Sequence, residues 1–285
     1  MMASRTRTLP LVIAAFAGLA TGCNVFDEKL YMQKPAHDLG AADLAMSSAL
    51  DAAPMPDPTL CDRKSSSTLC PGSYLFCDGF ENESGSNFSA WTSLIVSNDG
   101  NGGPANPGTI IEVANASVCL GQKAMHAHSI GAHQQAFLFR SFSNRANPLH
   151  VRFYFYISQV SLPFEILGYH APSGEYATLY VDPTAATFNF ATSFSSAASA
   201  FPAGNLPTNR WMCLEVAIRF NPTGEVQVLL DDKQLGDVKG INTQPNGVTL
   251  DTVNVGIIST DANDTGENDV YVDEVAMSMS SIGCM

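Results

Sequence analysis

The chain has 285 residues, with 27 acidic against 14 basic side chains and a formal net charge of −13. That balance excludes a phosphate-binding footprint, since nucleic-acid binders concentrate Lys and Arg, and no basic run appears anywhere. Only 14% of residues are charged, a polar but weakly charged composition common in exported β proteins.

The first predicted element is an export signal over residues 1–22. Arg5 and Arg7 form a short basic start, Leu9 to Leu19 is almost wholly apolar, and Ala20-Thr21-Gly22 precedes Cys23. The apolar run is short for a membrane span and reads as a signal peptide. The stretch LATGC resembles the bacterial lipobox, with Ala20 where Leu is usual, and implies lipidation of Cys23. Asn24 is not the Asp that marks inner-membrane retention, so the expected location is the cell envelope, lipid-anchored, at the outer membrane or cell surface. The mature chain, without Arg5 and Arg7, is more acidic still. It has no attraction for an anionic membrane surface, and attachment rests on the lipid alone.

Residues 23–60 carry the lipidated Cys and a flexible Ala/Asp/Pro tether, with Pro54, Pro56 and Pro58 at its end. Its few large apolar groups cannot offset the entropy of ordering it. With Cys23 assigned to the lipid, Cys61, Cys70, Cys77, Cys119, Cys213 and Cys284 remain. An even set in an oxidising compartment predicts three disulfides with fifteen pairings open. No C-x2-C spacing supports structural zinc.

Residues 61–285 form the folded domain, its first strand beginning at Tyr74. A turn-rich connection over Ser97–Gly108 follows. Predicted strands then run Thr109–Val113, Lys123–His128, Gln135–Phe142, Leu149–Ser158, Phe164–His170, Tyr176–Val181, Thr187–Thr192, Arg210–Phe220, Glu225–Leu230, Val253–Ser259 and Val270–Met279. Each is bounded by Gly, Pro, Asn or Ser, and no helical period is sustained outside the signal. The clearest is RWMCLEVAIRFNPTGEVQVLLDDKQLG, Arg210 to Gly236. Met212, Leu214, Val216, Ile218 and Phe220 share one face, and Asn221-Pro222-Thr223-Gly224 supplies the turn. The fold class is all-β, a two-sheet antiparallel β-sandwich.

The order of four pieces resembles the concanavalin A-like lectin/glucanase superfamily, in the manner of laminin-G-like domains and jelly-roll polysaccharide lyases. They are YLFCDGFE, Gly121 to His126, the Arg210–Gly236 hairpin and DVYVDEVAMS. The Ile282-Gly283-Cys284 end resembles that of myxobacterial-type surface lipoproteins. The superfamily resemblance implies that the first and last strands lie side by side, Tyr74–Phe80 against Val270–Ser278. That in turn implies a bridge from Cys284 to Cys70 or Cys77; a second bridge is expected between Cys119 and Cys213.

Chemistry is thinner. A glycosidase resembling the laminarinases would carry several carboxylates at period-two spacing on one strand. The nearest stretch, Pro163 to Gly168, has Glu165 alone. A lyase needs a group to neutralise a uronate and a Tyr or His to move the proton. Its candidates are Arg152, His170, Tyr176 and Tyr180. His126 and His128 share a strand face as metal binding requires, with no carboxylate close in sequence, and read with His133 as surface or cleft histidines. The oxygen-rich loop Asp261, Asn263, Asp264 to Asp269 suits a structural Ca2+, although Val272 stands where an EF-hand loop has its bidentate Glu. For sugar stacking the candidates are Tyr154, Tyr156, Trp211 and Arg219. The expected function is non-catalytic binding of a polysaccharide or a cell-surface glycan or protein, with a lyase or glycosidase second and a structural adhesion role third. No nucleic-acid partner is expected.

Overall fold

A computed structural model describes residue 61 and residues 74–99, 102–143, 146–161, 163–204 and 206–284. The signal peptide, Cys23, the tether and Cys70 lie outside the described residues. Fifteen strands are formed: β1 (Phe76–Asp78), β2 (Ser93–Asn98), β3 (Ile110–Ala114), β4 (Ala124–Ile130), β5 (Gln134–Ser141), β6 (Leu149–Gln159), β7 (Phe164–His170), β8 (Tyr176–Asp182), β9 (Thr187–Thr192), β10 (Ser195–Pro202), β11 (Trp211–Arg219), β12 (Gly224–Leu230), β13 (Lys233–Ile241), β14 (Thr252–Ile257) and β15 (Glu267–Ser278). Among the described residues there is no helix.

Two antiparallel sheets pack face to face. One has the order β13-β12-β11-β6-β15-β4-β3, with β1 also paired to β15; the other has the order β10-β9-β8-β7-β14-β5-β2. Alternation decides which side chains fill the space between them. On β11 the buried set is Met212, Leu214, Val216 and Ile218, and on β6 it is Leu149, Val151, Phe153, Phe155 and Ile157. They meet Leu179, Val181, Phe188, Phe190, Val253 and Val255 from the facing sheet. Burying each such side chain contributes about 1.5–3 kcal/mol, enough in sum to oppose the entropy of ordering fifteen strands.

The first and last strands are neighbours, with Phe76 opposite Met277 and Asp78 opposite Val275. β15 therefore pairs with β4 along its first half and with β1 along its second, while β6 lines its other side. The changeover falls at Asp273 and Glu274, where the register shifts and Glu274 takes a left-handed φ of 50°. Asp273 Oδ2 accepts the amides of Cys119 and Leu120, each at 3.0 Å. Acidic side chains also fold the chain after β1. Asp78 accepts from Phe80 N and Trp91 Nε1, each at 2.8 Å. Glu83 accepts from Ser89 and Ala90, and Lys123 Nζ donates to the carbonyls of Glu81 and Glu83.

The disulfides differ from the pairing implied by the resemblance. Cys61 bonds Cys119 and Cys213 bonds Cys284; Cys77 is disulfide-bonded as well. Cys119 and Cys213 were expected to bond each other, and they do sit in one small cluster with Leu120 and Tyr154. That cluster covers one part of the outer face of the eight-stranded sheet. Cys61 and Cys284 reach it separately, each supplying a partner cysteine.

Candidate functional site

The outer face of the seven-stranded sheet is built in three cross-strand rows. On β7 the side chains of Phe164, Ile166, Leu167 and Tyr169 enter the core. A register shift between Glu165 and Leu167 lets two consecutive apolar residues face inward, which leaves Glu165, Gly168 and His170 outward. Glu165 is opposite Tyr180, which is opposite Asn189. Asn254, Gly168, Thr178 and Ala191 form the middle row. Thr252, His170 and Tyr176 form the third, with Tyr176 tied to Ser193 through its amide and the serine hydroxyl at 2.9 Å. Small residues in the middle and larger ones on both sides make a trough running across the strands. Two residues along a strand advance about 6.8 Å, so its walls stand about 13 Å apart.

Two buried polar atoms of these rows have no partner. Asn254 is buried and its Oδ1 has no hydrogen bond among the described residues; the same holds for His170 Nε2. His170 folds back over Gly168, where an added Cβ would meet Nε2 at 2.9 Å. Leaving a buried polar atom unpaired costs about 1–3 kcal/mol; both atoms are closed to solvent, so a ligand hydroxyl reaches them only where the His170 ring turns aside.

The trough is nearly uncharged. Burial pushes the Glu165 carboxyl up to about 8, with Thr178 opposing and the nearby charge of Asp99 adding to the rise. Burial lowers the His170 imidazole to about 4, so it is neutral at physiological pH. Burial also raises the Tyr180 phenol, reinforced by Asp182 and Glu165. At the trough end near Glu165, Asp99 Oδ2 accepts from Ser259 at 2.7 Å, and its Oδ1 is 3.4 Å from His133 Nδ1.

The four lyase candidates do not converge. His170 and Tyr176 are stacked, with ring centroids 5.9 Å apart, and Tyr180 lies on the same face. Arg152 belongs to the other sheet, between Glu215 and Ala276. It is fully buried, its guanidinium 5.2 Å from the Tyr154 ring centroid. Among the described residues, the Arg and Lys side chains sit on or beside the eight-stranded sheet. The exception, Arg140, turns to the carbonyl of Ala90 and the ring of Phe76.

The four stacking candidates are likewise separated. Tyr154 is 1% exposed beneath Cys119, Leu120 and Cys213, so its ring is closed to ligand. Arg219 is exposed beside Glu225 at the far end of β11 from Trp211, eight residues or about 26 Å away. Tyr156 and Trp211 are cross-strand partners, half-buried, with rings 5.6 Å apart.

The proposed Ca2+ loop uses its oxygens internally. Asp261 Oδ1 accepts from the amide and side chain of Asn263. Asp264 is buried and accepts from Ser161, Gly266 and Asn268. Asp269 is not a loop residue but belongs to β15, where it meets His126 Nε2 at 2.5 Å and accepts from Ser158. Among the described residues no three His, Cys, Asp or Glu side chains gather into a metal-holding group. The carboxylate partners that His126 and His128 lack in their own stretch come from elsewhere: Glu112 and Asp269 for His126, Glu267 for His128. Sequence reasoning also missed Gly168, Thr178 and Asn254. The signal lay in outward alternation across β7, β8 and β14, which local motifs do not reveal.

No protein-family model and no curated protein matches the chain. Solved structures do match. An endo-β-1,4-glucuronan lyase from the fungus Trichoderma reesei superposes with a TM-score of 0.54 at 12% identity, over 73% of this chain and 96% of that one. A cellulose-induced protein, Cip1, gives 0.55 at 15%, over 74% and 100%. The alginate lyase Aly36B gives 0.52 at 9%, over 74% and 98%. At such identities the likeness is one of fold: an all-β sandwich of two antiparallel sheets.

Proposed function

We propose that this protein binds a neutral polysaccharide along the trough of its seven-stranded sheet without cleaving it, held at the cell envelope by a lipid on Cys23. The observation that carries the reading is the pair of unpartnered buried atoms, Asn254 Oδ1 and His170 Nε2, flanking Gly168 in an uncharged trough. Sugar hydroxyls donate and accept at such atoms, while Tyr176 and Tyr180 offer ring faces to pyranose C–H groups. The glucuronan lyase, alginate lyase and cellulose-induced protein that share the fold support a carbohydrate ligand. Against lyase chemistry stands the charge of the face. Among the described residues no cation projects from it to neutralise a uronate, and an imidazole near pH 4 is a weak base.

A lyase remains the second reading because His170 and Tyr176 stack side by side on the face where proton transfer would occur. Calorimetric titration with neutral and uronic oligosaccharides, run beside an ultraviolet assay for unsaturated products, separates the two. Binding of neutral chains, weakened about tenfold in Asn254→Ala, is expected. Release of unsaturated sugar from a polyuronate, lost in His170→Ala, would sink the non-catalytic reading.

A further inference from the structure

The opposite sheet carries a second set of accessible rings that the trough does not use. Trp211 on β11 is opposite Tyr156 on β6, Tyr156 is opposite Tyr271 on β15, Tyr271 is opposite His126 on β4, and His126 is opposite Glu112 on β3. All five project from the solvent face, and none is fully buried. With strands spaced about 4.8 Å apart, the four rings span about 14 Å in a straight line across the sheet.

The rings brace one another. Trp211 and Tyr156 are tilted by 49° at 5.6 Å, Tyr156 and Tyr271 are edge to face at 6.0 Å, and Tyr271 lies within 12° of the His126 plane at 4.5 Å. The Tyr156 hydroxyl donates to Asn209, and Trp211 packs against the knot formed by Cys119, Leu120, Tyr154 and Cys213. Rings fixed in this way lose little further entropy when a ligand settles on them. A second line of polar groups runs alongside. Asp269 is opposite His128, Ser158 donates to Asp269, and Glu267 is 3.6 Å from His128. Glu112 and Glu267 have half-exposed side chains with oxygens free to accept hydroxyl hydrogens.

We infer that this ring row is a second saccharide-binding surface, taking a short stretch of uncharged glycan on the face opposite the trough. Acceptor-rich carboxylates beside aromatic rings suit a ligand with many hydroxyl donors and apolar C–H faces, and they repel phosphates, sulfates and uronates. A quaternary ammonium, the other ligand of aromatic and acidic groups, needs a cage between rings. Here the rings touch and leave no space for one.

The chain contains its own reporter. It has two tryptophans. Trp91 is buried against Phe76 and Phe80 with its Nε1 donating to Asp78, whereas Trp211 stands at the end of the row. Tryptophan emission therefore reports on the row directly, and neither tryptophan belongs to the trough. Cellohexaose and laminarihexaose are titrated into the full chain and into Asn254→Ala, which removes a trough contact. At least one hexasaccharide is expected to change the emission saturably in both proteins. The change should vanish in Trp211→Phe and move to about tenfold higher concentration in Tyr271→Ala, with melting temperatures near the parent. Emission that stays constant at millimolar concentrations of both sugars overturns the second surface. So does a change that survives Tyr271→Ala at the same concentration. Loss in Asn254→Ala alone would assign the signal to the trough and overturn it equally.

Discussion

His150 Nδ1 stands 2.9 Å from Oε1 of Glu215, an almost fully buried carboxylate on the neighbouring strand. The same carboxylate accepts the amides of Ile282 at 3.1 Å and Gly283 at 2.7 Å. One side chain thus fastens the C-terminal segment to the outer face of β11, next to the Cys213–Cys284 bond.

Burial pushes Glu215 up, but hydrogen bonds from His150, Gly283, Ile282 and Ser281 outweigh it and leave its pKa below the usual value near 4.5. A carboxylate with a depressed pKa contributes stability above its unfolded value, lost as pH falls through the folded one. Glu215→Gln is expected to cost about 1–3 kcal/mol at neutral pH in urea unfolding. The gap from the parent should close in acid. A gap that stays constant down to pH 3 would show that the charge plays no part.

Glu165 has the opposite sign. Its pKa rises to about 8 in the fold from an ordinary value of 4.5, so the folded state favours the neutral acid. That contribution is fully present below 4.5, erodes above it and is gone once pH passes about 8. Glu165→Gln keeps a neutral hydrogen-bonding side chain at all pH values. The variant is expected to gain stability over the parent between pH 5 and 8, by on the order of a few kcal/mol at the upper end. Parallel melting curves for both proteins across that range would contradict the shift.

Two glycines on the trough face separate recognition from folding. Gly256 has φ 129°, and an added Cβ would lie 2.8 Å from the Ala136 carbonyl and 3.0 Å from Phe137 Cα, backbone atoms that cannot yield. Gly256→Ala is expected to destabilise by about 1–3 kcal/mol. At Gly168 the obstacles are the His170 ring and Ile258 Cδ1, ends of side chains that can turn aside. Gly168→Ala should melt close to the parent and lose affinity for neutral oligosaccharides, as the displaced imidazole fills the floor. Unchanged affinity would remove Gly168 from the site.

Peptide mapping without reduction is expected to recover Cys61 with Cys119 and Cys213 with Cys284. The second bond closes a separation of 71 residues, and Cys284→Ser should cost about 2–4 kcal/mol. A variant of parental stability would mean that Glu215 alone holds the segment.

Most strands legible in the sequence have two neighbours, although the edge strand β3 and the short β1 were expected too. Phe164–His170 and Thr187–Thr192 were bounded to the residue, and the Arg210–Gly236 hairpin pairs as its alternation requires, with Leu214 opposite Leu230 and Arg219 opposite Glu225. Three strands were not foreseen as such: Ser93–Asn98, Ser195–Pro202 and Lys233–Ile241. All three are sheet edges. An edge strand needs only one ladder and part of a buried face, so Ser/Ala-rich or charged segments suffice and the period-two signal fades. The trough was illegible for a different reason. Its middle row is defined by small residues and by which strands are neighbours, and Asn254 stands far from Gly168 in sequence. His126 meets Asp269 across 143 residues, a pairing no local spacing contains.

The bond from Cys61 to Cys119 also governs how the domain bears load. A pull on the chain ahead of Cys61 enters the fold at Cys119, and the amides of Cys119 and Leu120 pass it to Asp273 of β15, a strand with neighbours on both sides. The short strand β1, held by three residue pairs, is bypassed. The tension runs into the middle of a sheet instead of peeling a strand from it, and it acts on the face turned away from the trough.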